Sequence, residues 1–314
     1  MARIARKLLV GCLVLAIGGC GAVSEEQAAF SEAGEEVAAS VSRLLVLDGI
    51  VIGTVSDVIE PVLVTPPIEN DVGYSSVRKK KPQAKVAWTQ DAWFTLGSGL
   101  SSSALQWIQS SLALEPARKQ LALVKLDLNY NETSRFELND AAITQIDFPG
   151  LDAASTAAVN IRLKVHAQAT TLSSAPSGSP IQGQIRQKVK QLSAQRYRLD
   201  IAGIPTSDTA RISRIAPFSV GLPDTSASAV PKQRVGNLRI TLLEPYARGL
   251  RAWDASDRAS GVNTTRTGTL QYLAGETALL TLTFQSLGGL QFTTTPATGI
   301  TDVTLANGSV SAQF

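Results

Sequence analysis

LVLDGIVIGTVSDVIEPVLV, from Leu45 to Val64, and LDIAGIPTSDTARISRIAPFSV, from Leu199 to Val220, read as two versions of one opening. Each runs a short apolar strand into a Gly-Ile turn, at Gly49-Ile50 and Gly203-Ile204, and then into a second strand. Further on, each half places a short helix around a tryptophan: SSSALQWIQSSL around Trp107 and EPYARGLRAWDAS around Trp253. Ser101 to Ser103 supply candidate N-caps for the first, with Ala104, Leu105, Ile108 and Leu112 on one face. Pro245 suits the first turn of the second, with Tyr246, Leu250 and Trp253 on one face. An alternating strand ending in tyrosine follows each helix, LVKLDLNY (Val124, Leu126, Leu128, Tyr130 apolar) and TGTLQYL (Leu270, Tyr272 apolar). Self-similarity at this spacing points to one fold used twice.

Most of the remaining pattern is strand. Ile161, Leu163, Val165 and Ala167 alternate with Arg162, Lys164 and His166, and Leu280, Leu282 and Phe284 alternate with Thr281 and Thr283. Asn307-Gly308, between two alternating runs, predicts a hairpin. One-sided strands joined by turns, with one short helix per half, predict a mainly β chain of two tandem β-barrels or sandwiches. Thr171 to Gly183 (TLSSAPSGSPIQG) is dense in Ser, Pro and Gly and reads as a linker. The expected layout is a signal at 1–19, a tether at 20–42, a first β domain at 43–170, a linker at 171–195 and a second β domain at 196–314.

The N-terminus carries its own message. Arg3, Arg6 and Lys7 precede the apolar run LLVGCLVLAI (Leu8 to Ile17) and small residues, the anatomy of a secretory signal. The run is about half the roughly 20 residues that a membrane-spanning helix needs. Ile17-Gly18-Gly19-Cys20 resembles the bacterial lipobox, which assigns Cys20 as the lipidated N-terminus of the mature chain. Two or three acyl chains hold a protein on a bilayer where one holds it marginally. Ser24 to Ser42, acidic and Ala-rich, then reads as a tether. Gly21 lacks the aspartate associated with inner-membrane retention, so the expected place is the cell envelope, lipid-anchored on the outer membrane.

Without the signal the charge balance closes. The chain has 29 Lys+Arg against 26 Asp+Glu, and removal of Arg3, Arg6 and Lys7 leaves 26 of each. No nucleic-acid partner follows from a neutral chain. Cys12 leaves with the signal and Cys20 takes the lipid, so no thiol remains for a disulfide, a metal or a nucleophile.

Catalytic chemistry finds little support. His166 is the only histidine and shares a polar strand face with Arg162 and Lys164, so it reads as solvated. No G-x-S-x-G elbow accompanies it, and one imidazole without thiols does not make a zinc site. Asp127, Asp140 and Asp147 read as strand and turn carboxylates, and no Gly-rich phosphate loop opens a helix. Trp88, Trp93, Trp107 and Trp253 could form a glycan platform, although the two helical ones read as core. The expectation is a non-enzymatic protein with no catalytic residue, metal, cofactor or small-molecule substrate assigned.

Several stretches together carry a family resemblance. They are DGIVIG (Asp48 to Gly53), the basic VRKKKP (Val77 to Pro82), the Trp107 helix, LVKLDLNY and ITQIDFPGL (Ile143 to Leu151). In the second half, Gly249 to Leu290 matches the C-terminal part of the same pattern. Over about Leu44 to Lys164 and Tyr197 to Leu290 the chain resembles phage tail tube proteins, whose fold is shared with type VI secretion tube rings. The resemblance implies a small barrel with a flanking helix that joins neighbours into a ring, with VRKKKP on a protruding loop. If such a ring holds six domains, a chain carrying two completes it as a trimer with pseudo-sixfold symmetry. The expected partners are therefore other copies of the chain, and the membrane through the lipid. The alternative reading is a monomeric, lipid-anchored envelope module presenting β-domain loops to a glycan, peptide or protein.

Overall fold

The computed structural model describes residues 43–60, 63–64, 87–88, 91–96, 101–115, 118–127, 130–173, 192–223 and 232–313. The signal, Cys20, the tether, VRKKKP and most of the linker lie outside them. The first half comprises β1 (Arg43–Leu47), β2 (Ile50–Ile59), β3 (Leu63–Val64), β4 (Ala87–Trp88), β5 (Ala92–Leu96), α1 (Ser102–Leu112), β6 (Lys119–Leu126), β7 (Glu132–Phe148), β8 (Leu151–Asp152), β9 (Ile161–His166) and β10 (Ala169–Ser173). The second comprises β11 (Tyr197–Ile201), α2 (Thr206–Thr209), β12 (Arg214–Ile215), β13 (Phe218–Gly221), β14 (Arg234–Val235) and β15 (Leu238–Leu243). A 3-10 turn (Glu244–Tyr246), α3 (Arg248–Ser260), β16 (Arg266–Ala274), β17 (Thr277–Thr295), β18 (Ile300–Ala306) and β19 (Ser309–Gln313) complete it.

Every pairing between these strands is antiparallel. In the first half β1, β2, β5, β9, β7 and β6 pair in a closed circuit, a six-stranded barrel without an open seam. The β1–β2 hairpin turns on Asp48 (φ 48°) and Gly49 (φ 83°), flanked by the pair Leu47 and Ile50. Two consecutive positive φ values match the right-handed twist of the flanking strands, and Asp-Gly is the sequence that allows them.

The second half repeats the order. β11 pairs β16 as β1 pairs β6, β16 pairs β17 as β6 pairs β7, and β15 pairs β18 as β5 pairs β9. Trp107 and Trp253 lie 146 residues apart, as do Asp140 and Ser286. Asp140 (φ 54°) and Ser286 (φ 62°) occupy the same place, where a long strand bends from one sheet into the other. A left-handed residue at that point makes a bulge that lets one strand serve two sheets.

The first of the two tryptophan helices has the cap read from sequence. The Ser101 side chain accepts a hydrogen bond from the Ala104 amide at 3.3 Å, and α1 buries Ala104, Trp107, Ile108, Ser111 and Leu112. Leu105 is only half-buried. α3 buries Leu250, Trp253 and Asp257 and stops at Gly261 in the left-handed conformation. One apolar core runs through both halves, and Val41 to Phe314 form one compact unit. A smaller cluster of Leu44, Val46, Ala122, Val124 and Leu126 lies on the other face of β1 and β6.

Several expectations are corrected. Gly203-Ile204 leads into α2 rather than directly into a strand, because Pro205 has no N–H to pair and its carbonyl accepts from Asp208. That gives the second half a four-residue helix besides α3, and Pro245 starts a 3-10 turn rather than the α-helix. Tyr130 sits in a turn at φ 62° while Tyr272 lies within β16, so they are not counterparts. Asn307-Gly308 makes no hairpin: β18 and β19 run in line along the same edge of β17, which is long enough to pair with both. The linker is also shorter than 171–195, since Thr171 to Ser173 belong to β10 and Ala194 bonds back to Ala157 at 2.9 Å.

Among the described residues four buried polar atoms lack a partner, and one of them is the Tyr272 hydroxyl. Tyr272 is fully buried, its hydroxyl has no partner among the described residues, and burial pushes its pKa above the ordinary tyrosine range. Desolvating a hydroxyl without a hydrogen bond costs about 1–3 kcal/mol. Tyr272→Phe is expected to keep the fold and raise its unfolding free energy by that order, read as a higher denaturation midpoint, whereas a lowered midpoint would show that the hydroxyl is satisfied.

Candidate assembly site

The halves are joined by a strand that crosses from one to the other. β13, from the second half, adds to the edge of β7, with Phe218 opposite Phe148, Ser219 opposite Asp147, Val220 opposite Ile146 and Gly221 opposite Gln145. The other edge of this part of β7 is taken by β9, so β13 extends the first barrel's wall into the second half. β8 returns the exchange by pairing with β12. Aromatic packing fills the seam: the Phe218 ring lies 5.1 Å from Phe148 and 5.5 Å from Phe284. The approach is close at Gly150, where a Cβ would stand 3.0 Å from the Pro217 ring and one of the two would have to give by a few tenths of an ångström.

A second contact reinforces the seam. α1 of the first half packs against β19 of the second. The Gln233 amide bridges them, donating to the Leu112 and Val310 carbonyls while its oxygen accepts from the Val310 amide at 2.7 Å. Val310 and Ala312 are consequently buried. No sequence pattern announced this joint, since four residues of FSVG carry no sign of which strand they will meet.

The residues weighed for chemistry are scattered. His166 ends β9 and its Nδ1 lies 2.8 Å from Asp91, which also holds the Lys164 ammonium at 2.7 Å. Burial raises the Asp91 pKa, but the bonds from Lys164 and His166 outweigh it and hold the carboxyl below its ordinary value. The histidine is thus solvent-facing and also hydrogen-bonded to Asp91, which alternation alone did not reveal. Trp93 is half-buried beneath Arg162, whose guanidinium carbon stands 4.4 Å from the ring. Trp107 and Trp253 are core residues, each 2% exposed. Asp127 accepts from the Asn131 amide in the β6–β7 turn, Asp140 faces Arg118 at the bulge, and Asp147 accepts from Gln145. Among the described residues no three His, Cys, Asp or Glu side chains gather as metal ligands, and no helix is long and apolar enough to cross a membrane.

The most strongly perturbed carboxylate stands beside α3. Glu244 accepts from Arg251 at 2.6 and 2.9 Å and from the Thr301 hydroxyl, and these bonds, Arg251 first, bring its pKa down to about 2. A carboxyl whose folded value is depressed stabilises the fold above its ordinary value near 4.5 and loses that contribution as pH falls toward 2. Urea midpoints taken from pH 6 to pH 2 are expected to fall less for Glu244→Gln than for the parent. Parallel curves would remove Glu244 from the acid response.

No protein-family model matches the chain, and no curated protein matches its sequence.

Proposed function

We propose that the chain is a non-enzymatic structural subunit, a tail tube-like protein anchored through a lipid on Cys20 to the outer membrane, that assembles into a ring. The single observation behind this reading is the β7–β13 joint, where one barrel's wall continues into the next by strand addition. A subunit built from two like barrels already contains one such joint, and repeating a head-to-tail contact that closes makes a cyclic assembly. Three copies then supply six barrels, and a lipid on every chain sets all anchors on one side of the ring.

Two measurements test the reading. Mass and negative-stain images of Val41–Phe314 in solution, and of the lipidated full chain on vesicles, are expected to show annular particles of three chains. A strictly monomeric mass at all concentrations, with no annuli on lipid, would replace the ring by the monomeric binding module. Cys20→Ser is expected to release the protein from the membrane fraction, and a variant still bound and unchanged in mobility would end the lipoprotein assignment.

A further inference from the structure

We propose that β3 adds to the free edge of β17 in a second copy of the chain, in the register by which β13 adds to β7 within one copy. This deepens the ring reading and rests on it. The repeat supplies the correspondence. Val58 stands opposite Phe94 on β5 as Ile215 stands opposite Ile240 on β15, and five residues further on lie Leu63 and Val220. Leu63 and Val64 of β3 pair with β4 as Val220 and Gly221 of β13 pair with β14. Ile146 of β7 corresponds in the same way to Phe292 of β17, 146 residues on.

Among the described residues only one of the two strand pairs finds an edge. β13 lies on β7, whereas β3 and β4 form a two-stranded sheet of their own among the described residues. On β17, Gln291 to Thr295 pair with β18, and among the described residues nothing pairs with their other side. Gln291, Thr293 and Thr294 are exposed, while their counterparts Gln145, Asp147 and Phe148 on β7, paired with β13, are half-buried or buried. An open strand edge invites pairing with another chain.

A second, independent mismatch falls on the same side. β10 corresponds to β19, since both run along the first part of the long strand. Ala312 of β19 is 4% exposed in the strand that α1 packs against, but its counterpart Leu172 on β10 is 63% exposed. The first half thus leaves β3 and β10 open and the second leaves β17 and α3 open, which are the two complementary sides of the joint already made once. Such a contact joins unlike surfaces and repeats from copy to copy. It is also more polar than the one inside the chain. Ile108 and Leu112 of α1 are replaced on α3 by Asp254 and Arg258, which pair with each other at 2.9 Å. The contact between copies is therefore the weaker of the two and opens on dilution.

The register fixes the test. Leu63 falls opposite Phe292, and Val64 opposite Gln291. Directly opposed residues lie about 4.5–5.5 Å apart at Cα, within disulfide reach. Val41–Phe314 is one compact unit holding the whole described core, and it carries neither Cys12 nor Cys20. Under mild oxidation Val64→Cys/Gln291→Cys is expected to give disulfide-linked multimers as the main species on a non-reducing gel. Val64→Cys/Thr295→Cys, about 13 Å out of register, is expected to stay at least tenfold behind. Mixing the Val64→Cys and Gln291→Cys single variants should yield a linked dimer that neither gives alone. Annular particles with no preference for Val64–Gln291 over Val64–Thr295 would overturn this joint and leave the ring reading standing. Monomers without any linkage would overturn both.

Discussion

Trp253→Ala is expected to destabilise the Val41–Phe314 unit by about 3–5 kcal/mol, the range for emptying a buried aromatic site. The side chain is 2% exposed and does three things at once. It fills the space under α3, lies 4.6 Å beneath the Arg266 guanidinium, and donates its indole N–H to the Thr264 hydroxyl at 2.8 Å. Thr264 in turn donates to Asp257 at 2.6 Å and offers its amide to the same carboxylate at 3.1 Å, which ties the end of α3 to the start of β16. Truncation leaves a cavity and a polar network missing one member. Trp253→Phe separates the two effects: it keeps most of the packing and is expected to cost about 1 kcal/mol through the lost hydrogen bond. Thermal unfolding followed by circular dichroism reads both. A Trp253→Ala loss under 1 kcal/mol would remove the residue from the core.

What could be read in the sequence was what short-range periodicity encodes. The alternation of Ile161, Leu163 and Val165 places three residues at 0–1% exposure, and the Ser101 cap with its tryptophan helix emerges as read. What could not be read depends on long-range choices that local chemistry leaves open. Asn307-Gly308 carries a hairpin's signature, yet β17 offers one edge long enough for both flanking strands, and tertiary pairing overrides the turn preference. The bulges that bend β7 and β17 sit on Asp140 and Ser286, neither of them a glycine, so nothing flagged them. The repeat itself was visible through Trp107 and Trp253. Its alignment through Tyr130 and Tyr272 was not correct, because at the constant 146-residue offset the counterpart of Tyr272 is Leu126.

The repeat also explains why the two halves diverged where they did. Ile108 and Leu112 are apolar on α1, which packs on β19, while Asp254 and Arg258 hold the same places on the half-exposed α3. Burial selects apolar side chains where α1 meets β19, and solvent tolerates the salt bridge on the exposed face of α3. A chain with equal halves would have equal joints and could polymerise in any register of halves. In the proposed ring, unequal halves would separate a permanent contact within each chain from a reversible one between chains.

The permanent contact is where Phe218→Ala should act, and its effect differs in kind from that of a core tryptophan. Phe218 belongs to the second half, is 6% exposed, and stacks 5.1 Å from Phe148 of the first half at an interplanar angle of 22°. The expected cost is about 3–5 kcal/mol, as for other buried phenylalanines. The loss falls on the seam rather than inside either barrel, because β13 has only four residues with which to hold the β7 edge. The parent, with one core through both halves, is expected to unfold in a single calorimetric transition. Phe218→Ala is expected to split it in two as the halves uncouple. Leu282→Ala, an equally buried change inside the second half, should lower its midpoint without the same splitting. A single, fully cooperative transition for Phe218→Ala at an unchanged midpoint would show that the seam contributes nothing to holding the barrels together, and the ring built on that seam would lose its template.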